Sequence, residues 1–281
     1  MANITRINYS IRNNGGGSII LPGQVPKGLA NLKVPDQDSL WAPAADQSYA
    51  IGTQLRLNGN LYRYCKAGET IAIGHQGFLK CARTICPGAV GGGGSEAALY
   101  EDAVAGQDYL VLTDTGSRAA HYYEDGALWV LNDTTGHYNE YRIVDNDVYV
   151  SASYLKVYID PPLRFAHSTT AGTIQAYRSP YIDVRSMLTS GNQSWFSAIG
   201  MARFPITTAY FFWLQTAGRC WGTGASTWPG QTAYQRTVMA NTDGSLIGLA
   251  AATTYYQTVG YLLSGTTSIY GDVFFMLQLD Q

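Results

Sequence analysis

The densest apolar run in the sequence, residues 208–218, limits how this chain can fold more than any other feature. It contains four consecutive large apolar side chains, Phe211, Phe212, Trp213 and Leu214. Successive side chains of a strand point to opposite faces, so this run needs cover on both faces. It predicts a buried central strand or a strand at a subunit interface. We expect at least one of the pairs Phe211/Trp213 and Phe212/Leu214 to lie at a neighbouring chain.

Short apolar or alternating stretches separated by turn residues fill the chain from residue 50 onward. Each of three stretches predicts an antiparallel hairpin by its central pair of turn residues. The pairs are Asn58-Gly59, Asp125-Gly126 and Asp145-Asn146. No window longer than about ten residues shows a helical period with caps. The sequence therefore predicts an all-β fold of short antiparallel strands, arranged in sandwich-like or barrel-like domains.

The distribution of glycine and proline divides the sequence into three parts. Residues 1–45 hold three successive glycines and four prolines and almost no alternation, which predicts an extended N-terminal arm. Pro161 and Pro162 cannot continue a strand ladder, so we place a domain boundary there. The predicted β-rich domains span residues 46–160 and 161–281.

The composition favours protein contacts over nucleic acid or membrane as partners. Charged residues make up only 14% of the chain, whereas there are 21 Tyr and 31 Gly. Eighteen basic and 20 acidic residues give a net charge of −2, which provides no general attraction for nucleic acid or an anionic membrane. We find no apolar run long enough to span a membrane and no secretory signal. The four cysteines are then expected to be thiols made in a reducing cytoplasm.

Catalytic and metal-binding motifs are weak in this sequence. Residues 111–117 resemble the strand and Asp-Thr-Gly of aspartic proteases, but Asp114 has no correctly formed second copy. An acidic group fits turn positions better than a calcium loop or a catalytic pair; it comprises Glu124, Asp125, Asp133, Asp145 and Asp147. Cys81 and Cys86 lack the spacing of a zinc site, and the histidines are scattered. We predict no catalytic residues, no metal and no cofactor.

Aromatic residues are numerous enough to build a sugar-binding platform. Those considered are Tyr122, Tyr123, Trp129, Tyr138, Tyr141, Trp221 and Trp228. Aromatic rings stack on sugar rings, although sheet proteins also use Tyr at cross-strand pairs and interfaces. Glycan binding therefore stays open as an alternative to protein contact.

Three regions of the sequence, the first made of two short segments, together resemble the capsid decoration, or cement, proteins of tailed bacteriophages. Residues 49–55 and 62–68 are similar to the start of those proteins, including a Tyr-x-Lys-Ala-Gly motif. Residues 125–143 look like their middle aromatic hairpin, and residues 209–218 resemble their aromatic strand ending in Gln-x-x-Gly. Residues 136–139 depart from the pattern, which has a more Gly-rich turn there.

This resemblance implies a virion protein without an active site. Such a protein is a trimer made in the host cytoplasm. It binds the outer capsid surface, where it strengthens contacts between major capsid protein subunits. The residues that we expect at interfaces are Arg6, Arg12, Lys27, Lys33, Trp41, Phe211 and Trp213. The alternative hypothesis is a glycan-binding or host-attachment β-domain displayed on a virion.

Overall fold

A computed structural model describes fifteen stretches of the chain, and the structural statements below concern only these. They are residues 10–12, 18–20, 38–71, 76–79, 99–113, 118–132, 137–147, 154–169, 174–185, 197–225, 229–230, 235–241, 245–248, 257–264 and 272–280. The described residues form β-strands and one short 3-10 helix, Ser39–Trp41, with no α-helix. Almost all strand pairing is antiparallel. The predicted all-β fold is confirmed.

The chain forms two compact units, and the second is inserted into the first. Unit 1 comprises Met1–Lys80 and Pro180–Gln281, and unit 2 comprises Cys81–Ser179. These units do not coincide with the predicted consecutive domains 46–160 and 161–281. The reason is long-range pairing, because a strand before residue 80 lies beside a strand after residue 210 in the same sheet. Such pairing leaves no local signal in the sequence.

Unit 1 contains one sheet with twelve strands among its described residues. Numbered along the whole chain, they are β1 (Ser10–Arg12), β2 (Ser18–Ile20), β3 (Gln54–Leu57), β4 (Asn60–Lys66), β5 (Gln76–Leu79), β11 (Val184–Arg185), β12 (Ala198–Met201), β13 (Phe211–Thr223), β14 (Thr237–Ala240), β15 (Leu246–Gly248), β16 (Thr258–Ser264) and β17 (Asp272–Gln278). The main strand order is β1-β2-β3-β4-β13-β17-β16-β14-β15, and β5, β11 and β12 branch from β13. The longest strand, β13, therefore lies in the interior of the sheet.

Residues 211–218 of the densest apolar run form the first part of β13, and the four large apolar side chains there are covered on both faces. Phe211 and Trp213 pack with Leu40, Leu55 and Tyr64 in one core cluster. Phe212 and Leu214 pack on the other face, in a separate cluster. The alternation follows from the two-residue period of a strand. The prediction of a buried central strand is confirmed.

Unit 2 contains a five-stranded antiparallel sheet in the order β10-β7-β8-β9-β6. Its strands are β6 (Tyr109–Thr113), β7 (Ala127–Asn132), β8 (His137–Asn146), β9 (Tyr154–Asp160) and β10 (Ile174–Tyr177). One face of this sheet is buried and carries alternate residues such as Leu128, Val130 and Tyr141. The other face carries the intervening polar and aromatic residues, as the burial patterns of β9 and β10 show.

Turn predictions met different outcomes. The hairpin at Asn58-Gly59 is confirmed, since both residues have positive φ, 52° and 77°, between β3 and β4. The hairpins predicted at Asp125-Gly126 and Asp145-Asn146 are wrong. Asp125 ends a turn before β7, and Asp145 lies within β8, which continues to Asn146. These Asp residues hydrogen-bond and pair with charged neighbours, which is a second reason for Asp outside a hairpin tip.

Candidate functional site

The predicted interface residues lie in different environments in the structure. Arg6, Lys27 and Lys33 lie outside the described residues, and Arg12 is the last residue of β1. Trp41 is 40% exposed at the end of the 3-10 helix, whereas Phe211 and Trp213 are buried. The described parts of the predicted arm also belong to unit 1, because β2 pairs with β3 and Ala44 exchanges hydrogen bonds with Phe211.

The prediction that a neighbouring chain covers Phe211 or Trp213 is corrected by their surroundings. The Phe211 ring stacks on Tyr64 with centroids 6.0 Å apart, and the Trp213 ring lies 5.0 Å from Tyr64 and 5.1 Å from Tyr49. Phe212 is buried on the opposite face of the strand. A small cavity of about 220 Å³ adjoins these aromatic rings. The same chain therefore provides the cover that the sequence left unassigned, and these residues serve the core.

A tryptophan–arginine cluster on unit 1 consists of Trp41, Arg203 and Trp221. The Arg203 guanidinium lies 5.6 Å from the Trp41 ring centroid and 5.8 Å from that of Trp221. Gln215, which is fully buried in β13, accepts a hydrogen bond from Arg203 Nη1 at 2.7 Å. Phe204 packs edge-on against Trp41. The buried Gln215 thus holds the guanidinium of Arg203 close to both tryptophan rings. This contact fixes the position of the exposed Trp41 ring.

An apolar sheet patch lies on β16 and β17 of the same unit. It consists of the exposed side chains Tyr261, Leu263 and Phe274 and the half-buried Met276. Tyr261 pairs with Met276 across the two strands, and Phe274 pairs with Trp221 of β13. Cross-strand partners share a face of the sheet. The patch and the tryptophan–arginine cluster therefore adjoin at Trp221.

In unit 2, part of the predicted acidic group gathers around His121. His121 Nδ1 lies 2.8 Å from Asp145 Oδ1 and 3.8 Å from Glu124 Oε2. Among the described residues, this is a set of three donor atoms within 4.8 Å of one another, and His with carboxylates is a donor set that divalent metals accept. Partial burial, together with the charges of Asp125 and Asp145, raises the pKa of Glu124.

The remaining members of the acidic group have other partners. Asp125 forms an ion pair with Arg142, although burial still raises the pKa of the Asp125 carboxyl. Asp147 accepts a hydrogen bond from the Tyr158 hydroxyl at 3.0 Å, and Asp133 lies outside the described residues. The Asn146 side chain fixes residues 119–123 against β8, since it accepts a hydrogen bond from Tyr123 N and donates one to Ala119 O. Hydrogen bonds and ion pairs within the chain thus explain the positions of most residues of the acidic group.

The structure gives no support to a cysteine nucleophile among the described residues. Cys65 and Cys220 are buried free thiols. Burial raises the pKa of Cys220 to about 11 and that of Cys65 well above its usual value, so both are protonated near neutral pH. Cys81, Cys86 and the protease-like Asp114 lie outside the described residues.

The aromatic residues considered for sugar binding are dispersed by the fold. Tyr123 and Tyr141 belong to the core of unit 2, and Tyr122 lies between the guanidinium groups of Arg118 and Arg178. Trp129 is 41% exposed on the open face of the sheet. Trp221 belongs to unit 1, Trp228 is outside the described residues, and the side chain of Tyr138 is not described.

Two residues of these surfaces were missed by the sequence analysis. Arg203 has no motif around it, and its position between two rings depends on the pairing of distant segments. Tyr177, whose ring lies beside Trp129, could have been found from the alternating apolar pattern of β10.

No helix among the described residues is long and apolar enough to cross a membrane.

Comparisons of this chain with known proteins found no match. No protein family, no curated protein and no solved structure matches the sequence or the fold.

Proposed function

We propose that this protein is a structural virion protein of a tailed bacteriophage that binds the outer surface of the assembled capsid. In this proposal it stabilises contacts between major capsid protein subunits. It acts by binding the expanded shell more tightly than the immature one, so that binding shifts the equilibrium toward the assembled state.

The observation that carries the proposal is the arrangement of the segments that resemble decoration proteins. Residues 62–68 and 209–218, about 150 positions apart, lie mostly in the adjacent strands β4 and β13. Gln215 of the second segment donates to the carbonyls of Ala217 and Arg219, at a bulge in the pairing with β4. Gly218 has φ of 100°, which favours glycine. The shared residues thus have structural roles, as motifs of a non-catalytic family would.

The exposed surfaces of unit 1 supply the contacts that the proposal needs. We assign the tryptophan–arginine cluster to the capsid, because Trp and Arg are enriched among the residues that dominate binding energy. We assign the apolar sheet patch to a second copy of this chain, since interfaces between identical subunits are the more apolar ones. In a homotrimer, which the family resemblance suggests, this patch would lie at each of the three subunit interfaces.

The proposal is tested with phage heads assembled without this protein. The purified protein is added to mature heads and, separately, to unexpanded proheads, and binding is measured by co-sedimentation. We expect saturable binding to mature heads, weaker binding to proheads, and a higher temperature of DNA release from decorated heads.

A matched pair of variants locates the contact. Trp41→Ala should weaken head binding at least tenfold, about 1.4 kcal/mol, because an exposed Trp at a hot spot is lost. Tyr100→Ala, which removes an exposed aromatic side chain from unit 2, should bind as the wild type does. If the wild-type protein fails to bind mature heads at micromolar concentration, the proposed function is wrong.

A further inference from the structure

The open face of the unit 2 sheet carries a row of three side chains on adjacent strands. Trp129 of β7 pairs with Gln175 of β10 on one side and with Glu140 of β8 on the other. Neighbouring strands are about 4.8 Å apart, so the row is about 10 Å long, close to the span of two linked sugar rings. An indole ring is thus flanked by an amide and a carboxylate.

A second ring completes an aromatic surface beside this row. The Tyr177 ring centroid lies 5.6 Å from that of Trp129, with 61° between the ring planes. The Tyr177 hydroxyl donates a hydrogen bond to Gln175 Oε1, which fixes the phenol against the amide. Tyr177 pairs with Ala127 of β7, and Ala127 pairs in turn with Arg142 of β8. We call Trp129, Tyr177, Gln175 and Glu140 the aromatic platform.

The platform is not needed to complete the core of unit 2. The neighbours of Trp129 in β7, Leu128 and Val130, point to the opposite face and are fully buried in the core cluster. Trp129 nevertheless remains 41% exposed. An exposed indole with polar side chains on both sides in register is the composition of a binding surface, in which rings supply area and polar groups supply orientation.

Charge selects among the ligands that such a surface could take. Unit 2 carries 12 acidic and six basic residues. Two residues along β8 from Glu140, Arg142 is already paired with Asp125. The acidic excess of this unit, together with the exposed carboxylate of Glu140 on the platform, disfavours polyanions such as nucleic acid and sialylated or sulfated glycans.

A neutral glycan fits these features together. The apolar face of a hexose ring stacks on an indole or a phenol, while its hydroxyl groups donate charge-assisted hydrogen bonds to a carboxylate and exchange bonds with an amide. From this geometry we infer that the aromatic platform is a binding site for uncharged glycans, with Trp129 as the stacking residue and Glu140 as the hydrogen-bond acceptor. This binding function is separate from capsid binding and belongs to a different unit of the chain.

The test uses the full-length protein on an array of neutral hexose and N-acetylhexosamine oligosaccharides, printed beside sialylated and sulfated ones. We expect binding to a subset of the neutral oligosaccharides and quenching of tryptophan fluorescence on titration with them. Trp129→Ala should weaken this binding at least tenfold, and Glu140→Gln should weaken it by a smaller factor. Trp41→Ala is the matched control in the other unit and should bind the same oligosaccharides unchanged.

Three results would overturn the inference. They are no binding to neutral oligosaccharides, binding confined to anionic ones, and binding that survives in a folded Trp129→Ala variant. Loss of head binding in Trp129→Ala without any glycan binding would identify the platform as a protein contact instead. Because head binding and glycan binding are measured separately, failure of one leaves the other proposal intact. Thermal unfolding of each variant verifies that the exposed substitution has not changed the fold.

Discussion

Gln215 offers the sharpest test of how the centre of unit 1 is held together. Its side chain is fully buried in β13. Its amide nitrogen donates to the carbonyls of Arg219 at 2.9 Å and Ala217 at 3.2 Å, and its amide oxygen accepts from Arg203. One side chain thus holds the backbone of the bulge and the arginine between the two tryptophans.

The expected loss on removing this side chain follows from those contacts. Each of the two side chain–backbone hydrogen bonds is worth about 1 kcal/mol. The hydrogen bond from Arg203 adds about 1 kcal/mol and not more, because the guanidinium is only half-buried and can bind water once the Gln215 side chain is removed. Gln215→Ala also leaves a cavity, which brings the total to about 3–4 kcal/mol. Gln215→Met keeps the volume of the side chain without its hydrogen bonds, so it should cost about 2–3 kcal/mol.

The measurement is urea unfolding followed by tryptophan fluorescence, with Gln278→Ala as the matched control. Gln278 pairs with Ala217 in the next strand, but its side chain is exposed. Removing this side chain should change the free energy of unfolding by less than about 0.5 kcal/mol, the usual range for a surface substitution. Gln215→Met should also weaken head binding, because Arg203 is no longer fixed against Trp41. If Gln215→Met and Gln278→Ala unfold at the same urea concentration, the reasoning about the bulge is refuted.

Three further predictions concern other parts of the chain. Gly218→Ala should destabilise the protein by about 2 kcal/mol or more in urea unfolding, because it combines a positive φ with a collision against Asn60; Gly106→Ala, with a similar φ and open space, should cost about 1 kcal/mol. The raised pKa of the Glu124 carboxyl means that the folded state binds its proton more tightly, so this group's contribution to stability falls as pH rises from the unfolded to the folded pKa. Glu124→Gln should therefore raise the thermal midpoint at pH 7 and flatten its pH dependence, and an unchanged profile would contradict this. Phe274→Ser should dissociate the proposed oligomer in light scattering without lowering the thermal midpoint of the subunit; an unchanged mass would remove the apolar sheet patch as the interface.

The parts of the fold that were predictable are those fixed by neighbouring residues. Four large apolar side chains in succession predict a strand covered on both sides, and β13 is such a strand. Asn58 and Gly59 adopt the positive φ angles that a two-residue hairpin needs. The same local reasoning failed at Asp125 and Asp145, since Asp is favoured both at turns and where it binds a nearby cation or imidazole.

What covers the central strand could not be predicted, because cover is a long-range property. The sequence showed that Phe211 and Trp213 must be buried, but the residues that bury them lie about 150 to 170 positions away; they are Tyr49, Tyr64 and Leu40. A subunit interface and a distant part of the same chain leave an identical signal in the strand itself. The division into these two units leaves no local signal for the same reason, since β4 and β13 pair although all of unit 2 lies between them in the sequence.

The insertion of unit 2 also bears on why one chain would carry two binding surfaces. Unit 1 holds every segment of the sheet that contains β4 and β13, together with the tryptophan–arginine cluster and the apolar sheet patch. Unit 2 has its own complete core, so its outer residues are free to change without disturbing β13. Trp129 and Tyr177 stand 48 positions apart and meet only because β7 pairs with β10, inside that independent core. A change at the platform should therefore alter glycan binding while leaving the stability of unit 1 unaffected, because the platform belongs to a unit with its own core.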